Sequence, residues 1–234
     1  MHHFQMSPKR RKRVCLFGTS ADPPTGHGGH GGMVAYLASL DEIDQVVVLP
    51  VHVHIYATKR RQQQASFDQR MQMCRLAFAH LDKVVVSNAE QQCSLQSQFQ
   101  TGTVDLIEMF MAQEPNTNTD YCLALGTDTF LDLIAGKWKQ SKHVLDLIQG
   151  RIYIIPRMQL HSQDHTPLDD KIHALNAKYG PHSAQLIQIP GLTDVSSTYV
   201  RGLSDESNLR QYLHSDVANY IIQHKLYGFT EKTK

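Results

Sequence analysis

The chain has 234 residues, 41% of them hydrophobic, with 23 Lys and Arg against 22 Asp and Glu. That length is enough for one full core, and the formal net charge of +1 excludes a bulk electrostatic pull toward nucleic acid or membrane. No stretch approaches the roughly eighteen apolar residues of a spanning helix, and Cys15, Cys74, Cys93 and Cys122 form no C-x-x-C pair, which argues against a zinc knuckle or a disulfide framework.

In chain order, residues 1–12 read as a basic N-terminal tail, and residues 13–230 as a single domain. The run from Lys9 to Arg13 is a solvated tail that keeps the first strand soluble, a nuclear address or a phosphate-attracting arm. Val14–Phe17 is the first apolar strand. It runs into a turn, Gly18 to His30, with two prolines and repeated glycines, and then into an apolar helix. Val46–Leu49 and Val84–Val86 are further strands, separated by a helical pattern in which Phe67, Met71, Cys74, Phe78 and Leu81 recur at steps of three and four. Gln62-Gln63-Gln64 and the stretch from Gln91 to Gln100 are glutamine-rich and weakly periodic, so both read as loops or insertions. Val104, Ile107 and Met111 mark another helix, Tyr121–Leu125 a strand, and Asp146 to Gly150 the glycine-terminated end of a further helix. Ile152–Ile155 and Leu186–Ile189 complete the strands, and Asp216 to His224 reads as a terminal helix.

The strands are short and continuously apolar, as expected where both faces are buried. Alternating with helices, they predict an α/β fold: a Rossmann-like, doubly wound parallel sheet of five to six strands with a C-terminal helical segment.

A strand, glycine-rich turn and helix together place backbone N–H groups and a helix N-terminus against phosphate. The turn has neither the G-x-x-x-x-G-K-[ST] pattern nor a clean G-x-G-x-x-G, so a Walker ATPase and a dinucleotide oxidoreductase both fit poorly. His27-Gly28-Gly29-His30 instead offers two imidazoles as donors to phosphate oxygens. Other features have plain structural readings. Ser196-Ser197-Thr198 is a natural helix cap, Asp128 a cap or a nucleotide contact, and Trp138 a packing residue. His52-x-His54 lacks a third metal ligand at suitable spacing and reads as a strand-end loop.

Gly18-Thr19-Ser20-Ala21-Asp22-Pro23-Pro24 followed by His27-Gly28-Gly29-His30 resembles the first motif of the nucleotidyltransferase α/β-phosphodiesterase superfamily, and Val195-Ser196-Ser197-Thr198-Tyr199-Val200-Arg201 resembles its I-S-S-T-x-x-R signature. Leu49-Pro50 leading to Lys59, the stretch Phe67 to Phe78, Gly126-Thr127-Asp128-Thr129-Phe130 with Trp138, and Ser215 to Tyr227 are similar to the nicotinate and nicotinamide mononucleotide adenylyltransferases. The resemblance spans residues 13 to 228 and implies transfer of AMP from ATP to a pyridine mononucleotide, giving NAD or deamido-NAD plus pyrophosphate. It implies catalytic roles for His30, His27 and Arg201. It implies ATP contacts from Gly18, Thr19, Ser20, Thr25, Gly29, His30, Gly126, Asp128, Ser196, Ser197, Thr198 and Arg201, and mononucleotide contacts from Lys59, Arg60 and Trp138. Mg²⁺ is expected to ride mainly on the ATP phosphates, with no protein metal ligand. One departure stands out: Thr25-Gly26 separates the prolines from His27, so Thr25 or His27 takes the place of the family's first histidine.

The rival readings are another superfamily member, a pantetheine-phosphate adenylyltransferase or a cytidylyltransferase, and an inactive nucleotide-binding regulator. The expected partners are ATP and the mononucleotide, with nucleic acid disfavoured, no membrane, and a homo-oligomer left open. The expected location is the cytoplasm, with the basic run leaving the nucleus open.

Overall fold

The structure is a computed structural model, and it describes residues 10–53, 63–96, 101–115, 118–156 and 166–229. Six parallel strands, β1 (Lys12–Thr19), β2 (Gln45–Pro50), β3 (Val84–Val86), β4 (Thr119–Gly126), β5 (Ile152–Ile155) and β6 (Ala184–Leu186), form one sheet in the order β3-β2-β1-β4-β5-β6. The register places Cys15 beside Val46 on one side and beside Cys122 on the other. Chain direction reverses its progress across the sheet between β1 and β4, the point where open α/β sheets bind ligands at the carboxyl ends of their strands.

Alternate residues of each strand serve two cores. Cys15, Phe17, Val46, Val48, Cys122 and Tyr153 face helices α1 (His30–Ser39) and α2 (Phe67–Phe78), together with a C-terminal helix described below. Val14, Leu16, Val47, Leu123, Ile152 and Ile154 face α3 (Ala89–Gln96), α4 (Thr103–Gln113), α5 (Thr127–Ile134), α6 (Ser141–Leu147) and α7 (Thr166–Tyr179). Burial on both faces explains why the strands read as continuous apolar runs. The chain closes with α8 (Ser197–Arg201), α9 (Glu206–Tyr212) and α10 (Ser215–Gln223), and α10 lays Val217, Ala218 and Ile221 on the first core. No helix among the described residues is long and apolar enough to cross a membrane.

Three expectations need correction. The stretch from Gln91 is helical as far as Gln96, because Ala89 and Cys93 at a spacing of four supply a buried stripe that glutamine composition conceals. The last strand is Ala184–Leu186 rather than Leu186–Ile189, since the ladder with β5 ends at Leu186 while Ile187 and Ile189 pack as partly buried loop residues. The basic run is not wholly a tail: β1 begins at Lys12, Arg10 pairs with Asp44 at 2.6 Å, and Arg11 pairs with Asp120 at 3.0 Å. The Arg10–Asp44 pair is exposed and of a kind that contributes little stability, about 0–1 kcal/mol, whereas the Asp120 carboxylate is largely buried and also pairs with Arg151 at 3.2 Å. Of the first glutamine cluster, Gln63 and Gln64 lie in irregular backbone, whereas Gln62, like residues 97–100, lies outside the described residues.

Candidate active site

The Gly18–His30 turn leaves the carboxyl end of β1 and delivers the chain into α1. Gly18 is exposed, and a Cβ there would meet nothing within 4 Å, so the strand end opens onto free space. Beyond it the turn is tightly closed. Thr19 Oγ1 accepts from the Ala21 N–H at 3.1 Å, Gly26 donates to the Tyr212 carbonyl at 2.7 Å, and the Gly28 carbonyl accepts from Thr193 N–H at 2.9 Å. A Cβ at Gly29 would collide with Thr25 Oγ1, so this glycine is required for close approach.

Thr25 is buried at the centre of the turn. Its hydroxyl oxygen accepts from the His30 N–H at 2.9 Å, and its carbonyl accepts from the Gly31 N–H at 2.9 Å. Two amides at the N-terminus of α1 are thereby used inside the turn, where the sequence alone had them available to phosphate. Nδ1 of His30 lies 3.1 Å from the Thr25 backbone nitrogen and 2.7 Å from its hydroxyl. A backbone N–H can only donate, so Nδ1 is the acceptor and the ring proton sits on Nε2. The structure thus joins Thr25 to His30. His27 is exposed, and its ring lies against Gly191, where a Cβ would come within 3.3 Å of Nε2.

This pairing has a measurable consequence. Thr25→Val keeps the shape and removes the hydroxyl, so steady-state kcat is expected to fall about tenfold, the worth of one hydrogen bond of about 1 kcal/mol or slightly more. Thr25→Ser should restore most of that loss in the same steady-state assay.

The second motif arrives from the far end of the chain. Ser196 caps α8 by accepting from Tyr199 N–H at 3.1 Å, in line with the capping reading. Ser197 donates to the Pro23 carbonyl at 2.8 Å, which docks the motif on the turn and commits its proton. Arg201 donates through Nη1 to the Asp22 carbonyl at 2.5 Å and through Nη2 to Thr198 Oγ1 at 3.2 Å, with its side chain 10% exposed. Tertiary packing therefore brings His30 and Arg201 to the same turn.

The other predicted residues distribute as follows. Gly126 is the N-cap of α5 at the end of β4, and Asp128 stands exposed in the first turn of that helix, so it is not the cap. Trp138 is partly buried on the second core, its backbone N–H donating to Ser141 Oγ at 3.0 Å. Lys59 and Arg60 lie outside the described residues, as does His54.

Four side chains around the site make contacts for which the sequence reading assigned no role. Asp22 is 1% exposed. Its carboxylate accepts from the N–H groups of Gln64 at 2.8 Å and Ala65 at 3.1 Å, and from the Tyr227 hydroxyl at 2.7 Å. Burial, and then the nearby Asp22 carboxylate, push the Tyr227 hydroxyl well above its ordinary range, so it remains a donor. Arg70 is 2% exposed and donates to the carbonyls of Ser20 at 2.9 Å, Val51 at 2.7 Å and His52 at 3.4 Å. One signal for it existed: Arg70 stands three residues after Phe67 and four before Cys74, a charge on the apolar face of α2.

Glu90 accepts from His52 N–H at 3.2 Å, and burial pushes its carboxyl up from 4.5 to about 7, against the pull of that N–H and of Arg70. The folded state then holds a proton that the unfolded chain has lost, so this group's contribution to stability declines as pH rises from about 4.5 to about 7. Glu90→Gln, a neutral isostere, should lose less stability than the wild type between those limits. Thermal melts across that pH range read the difference.

Comparison with known proteins adds the relationship. The family model described as Cytidylyltransferase-like matches residues 16–203. A curated relative from Chlorobaculum tepidum, a probable nicotinate-nucleotide adenylyltransferase, is 26% identical over 217 residues, covering 92% of this chain and 99% of the relative. One of the same description from Desulfotalea psychrophila is 29% identical over 223 residues, covering 92% and 100%. Among solved structures, Plasmodium falciparum nicotinic acid mononucleotide adenylyltransferase complexed with APC superposes with a TM-score of 0.68 at 23% identity, over 94% of this chain and 99% of that one. The same enzyme complexed with NaAD also scores 0.68, at 21% identity over 94% of this chain and 99% of that one. These likenesses bear out the doubly wound fold.

Proposed function

The chain belongs to the cytidylyltransferase-like family, and from that premise we propose that it is an adenylyltransferase of NAD biosynthesis, joining the AMP of ATP to nicotinate or nicotinamide mononucleotide. The observation that carries this reading is the meeting of Thr25–His30 and Arg201 on one turn at the carboxyl end of β1. Relatives described as nicotinate-nucleotide adenylyltransferases, aligned over more than nine-tenths of the chain, supply the substrate class and favour the acid over the amide.

In this reaction an oxygen of the mononucleotide phosphate attacks the α-phosphorus of ATP, and the bond to pyrophosphate breaks. The attacking phosphate is already anionic near neutral pH, so no strong base is needed, and catalysis rests on alignment and charge stabilisation. His30 donates from Nε2 to the ATP phosphates, and Arg201 stabilises charge on the departing pyrophosphate, with the Thr198 hydroxyl beside it. His27 stands at the exposed rim as a second donor. Gly18, Thr19, Ser20, Gly29 and Gly126 shape the nucleotide's bed, with Asp128 at the ribose. Lys59 and Arg60 meet the acceptor phosphate, and Trp138 covers the pyridine ring. ATP enters as its Mg²⁺ complex. The Asp22 carboxylate is committed to two amides and a tyrosine, which fits an ion carried by the substrate's own phosphates. The proposed location is the cytoplasm.

The direct test is product analysis by mass spectrometry, with Mg-ATP and nicotinate mononucleotide, nicotinamide mononucleotide or phosphopantetheine in parallel. A dinucleotide and pyrophosphate are expected, with the higher kcat/KM for nicotinate mononucleotide. ATP binding with no product from any acceptor would overturn the proposal in favour of a nucleotide-binding regulator.

A further inference from the structure

The amino edge of the sheet, opposite the end that carries the Gly18–His30 turn, holds a cavity of about 360 Å³ between the starts of β1, β5 and β6. That volume lies within the usual range for small-molecule sites. Strand alternation explains the floor of the cavity. Tyr153 shares the sheet face of Cys15 and Cys122, and residues two apart on a strand share a face, so Arg13, Asp120 and Arg151 stand on it too. Gln185 is the register partner of Tyr153 and extends the row onto β6. The walls are the two loops that enter β5 and β6, where Gln149 and His182 are held at φ of 51° and 63°, a region few non-glycine residues occupy.

The charge at this edge is unbalanced. Asp120 pairs with both Arg11 at 3.0 Å and Arg151 at 3.2 Å. Arg13 stands against the Tyr153 hydroxyl, which itself donates to Glu42 Oε1 at 3.3 Å. Arg13 Nε is buried and has no hydrogen-bond partner among the described residues. Three guanidiniums are thus met by two carboxylates, one of them through a tyrosine, and no Asp or Glu is among the described residues that line the cavity. Helices α6 and α7 end beside it, and the partial negative charge of a helix C-terminus opposes an anion. Their last carbonyls are already engaged: Leu145 and Asp146 accept from the N–H groups of Gly150 and Gln149, and Asn176 and Gly180 accept from those of Gly180 and Ser183.

We infer that this cavity is a binding site for a phosphate-bearing small molecule, held by the guanidiniums of Arg13 and Arg151 with the exposed His182 at the rim. Guanidinium forks match phosphate oxygens in pairs, and a bound phosphate would give Arg13 the acceptors it lacks. Gly18 lies about 16 Å further along β1. The cavity is therefore separate from the turn that carries His30 and Arg201, and binding there does not depend on adenylyl transfer.

The test is a titration of the full chain, isotopically labelled on nitrogen, followed through its amide chemical shifts. The probes are inorganic phosphate, pyrophosphate and AMP, each set against sodium chloride at matched ionic strength. The expected result is saturable movement of the Arg151, His182, Ser183 and Gln185 amides, with half-saturation on the order of 1 mM, as two charge-assisted contacts imply. Arg13→Gln and Arg151→Gln should each weaken that response about tenfold, while shifts between Thr25 and Gly31 keep their wild-type dependence. A stronger response to AMP than to inorganic phosphate identifies a nucleotide as the ligand class, and the reverse order identifies a free oxyanion; either supports the site. Movement confined to the carboxyl edge, movement that sodium chloride reproduces, or a response unchanged in both variants would overturn it. If one variant fails to fold, the other decides.

Discussion

Replacing His30 with alanine is expected to lower kcat for dinucleotide formation by about 10²–10³-fold, the usual cost of removing one preorganised donor from a site of developing phosphate charge. The role proposed for this side chain is narrow. Thr25 N–H donates to Nδ1 and so holds the proton on Nε2, and the T-shaped contact with Phe17, at 6.3 Å between ring centroids, fixes the ring plane. Because the ring is held before substrate arrives, little reorganisation is needed in the transition state. The loss should therefore appear mainly in kcat, with KM for the mononucleotide changed by no more than a few-fold, as befits an interaction realised in the transition state. His30→Gln, which offers an amide donor without the ring, should recover part of the rate. Steady-state kinetics with both variants, alongside melts to confirm the fold, check the expectation. A fall in kcat below about threefold for the alanine variant would remove His30 from the catalytic set.

Replacing Asp22 with alanine should produce the largest loss of stability of any single change at the site, on the order of 3–5 kcal/mol. The carboxylate is almost fully buried and is the common acceptor for two amides and the Tyr227 hydroxyl. It also lies 3.9 Å from Arg201. Truncation leaves those donors and two arginines without their acid, and buried groups deprived of a partner keep their full desolvation cost. For a chain of this size that corresponds to a fall in Tm of about 10 °C. Urea or thermal denaturation measures it, and a loss under about 1 kcal/mol would mean that water replaces the carboxylate. Asp22→Asn keeps the volume and one acceptor, so it should lie well between wild type and alanine. The contrast between the two variants separates the loss of contacts from the loss of charge.

Most of the architecture was legible in the sequence, and the reason is local. Val14–Phe17, Val46–Leu49 and Ile152–Ile155 are buried on both faces, so they read as short unbroken apolar runs, while Met71, Cys74 and Phe78 repeat at the helical spacing because one face of α2 is buried, with Cys74 and Phe78 on the first core. The helix Ala89–Gln96 was hidden because only Ala89 and Cys93 are buried in it, its one other apolar residue, Leu95, is exposed, and the rest are polar. The strand at Ala184 was displaced because Ile187 and Ile189 carry core-like side chains on a loop, a case where composition and backbone pairing diverge. At the site, the sequence by itself determined which residue types could meet phosphate, through two motifs some 170 positions apart. Only the tertiary structure decided that Thr25 is the partner of His30, that Ser197 spends its proton on Pro23, that Asp22 accepts from the Gln64 and Ala65 amides, and that Arg70 donates to the Ser20 and Val51 carbonyls. Those are hydrogen bonds in which one side is a backbone group or a residue far along the chain. Backbone donors and acceptors are the same at every position, so no pattern of side chains announces which of them a buried charge will find.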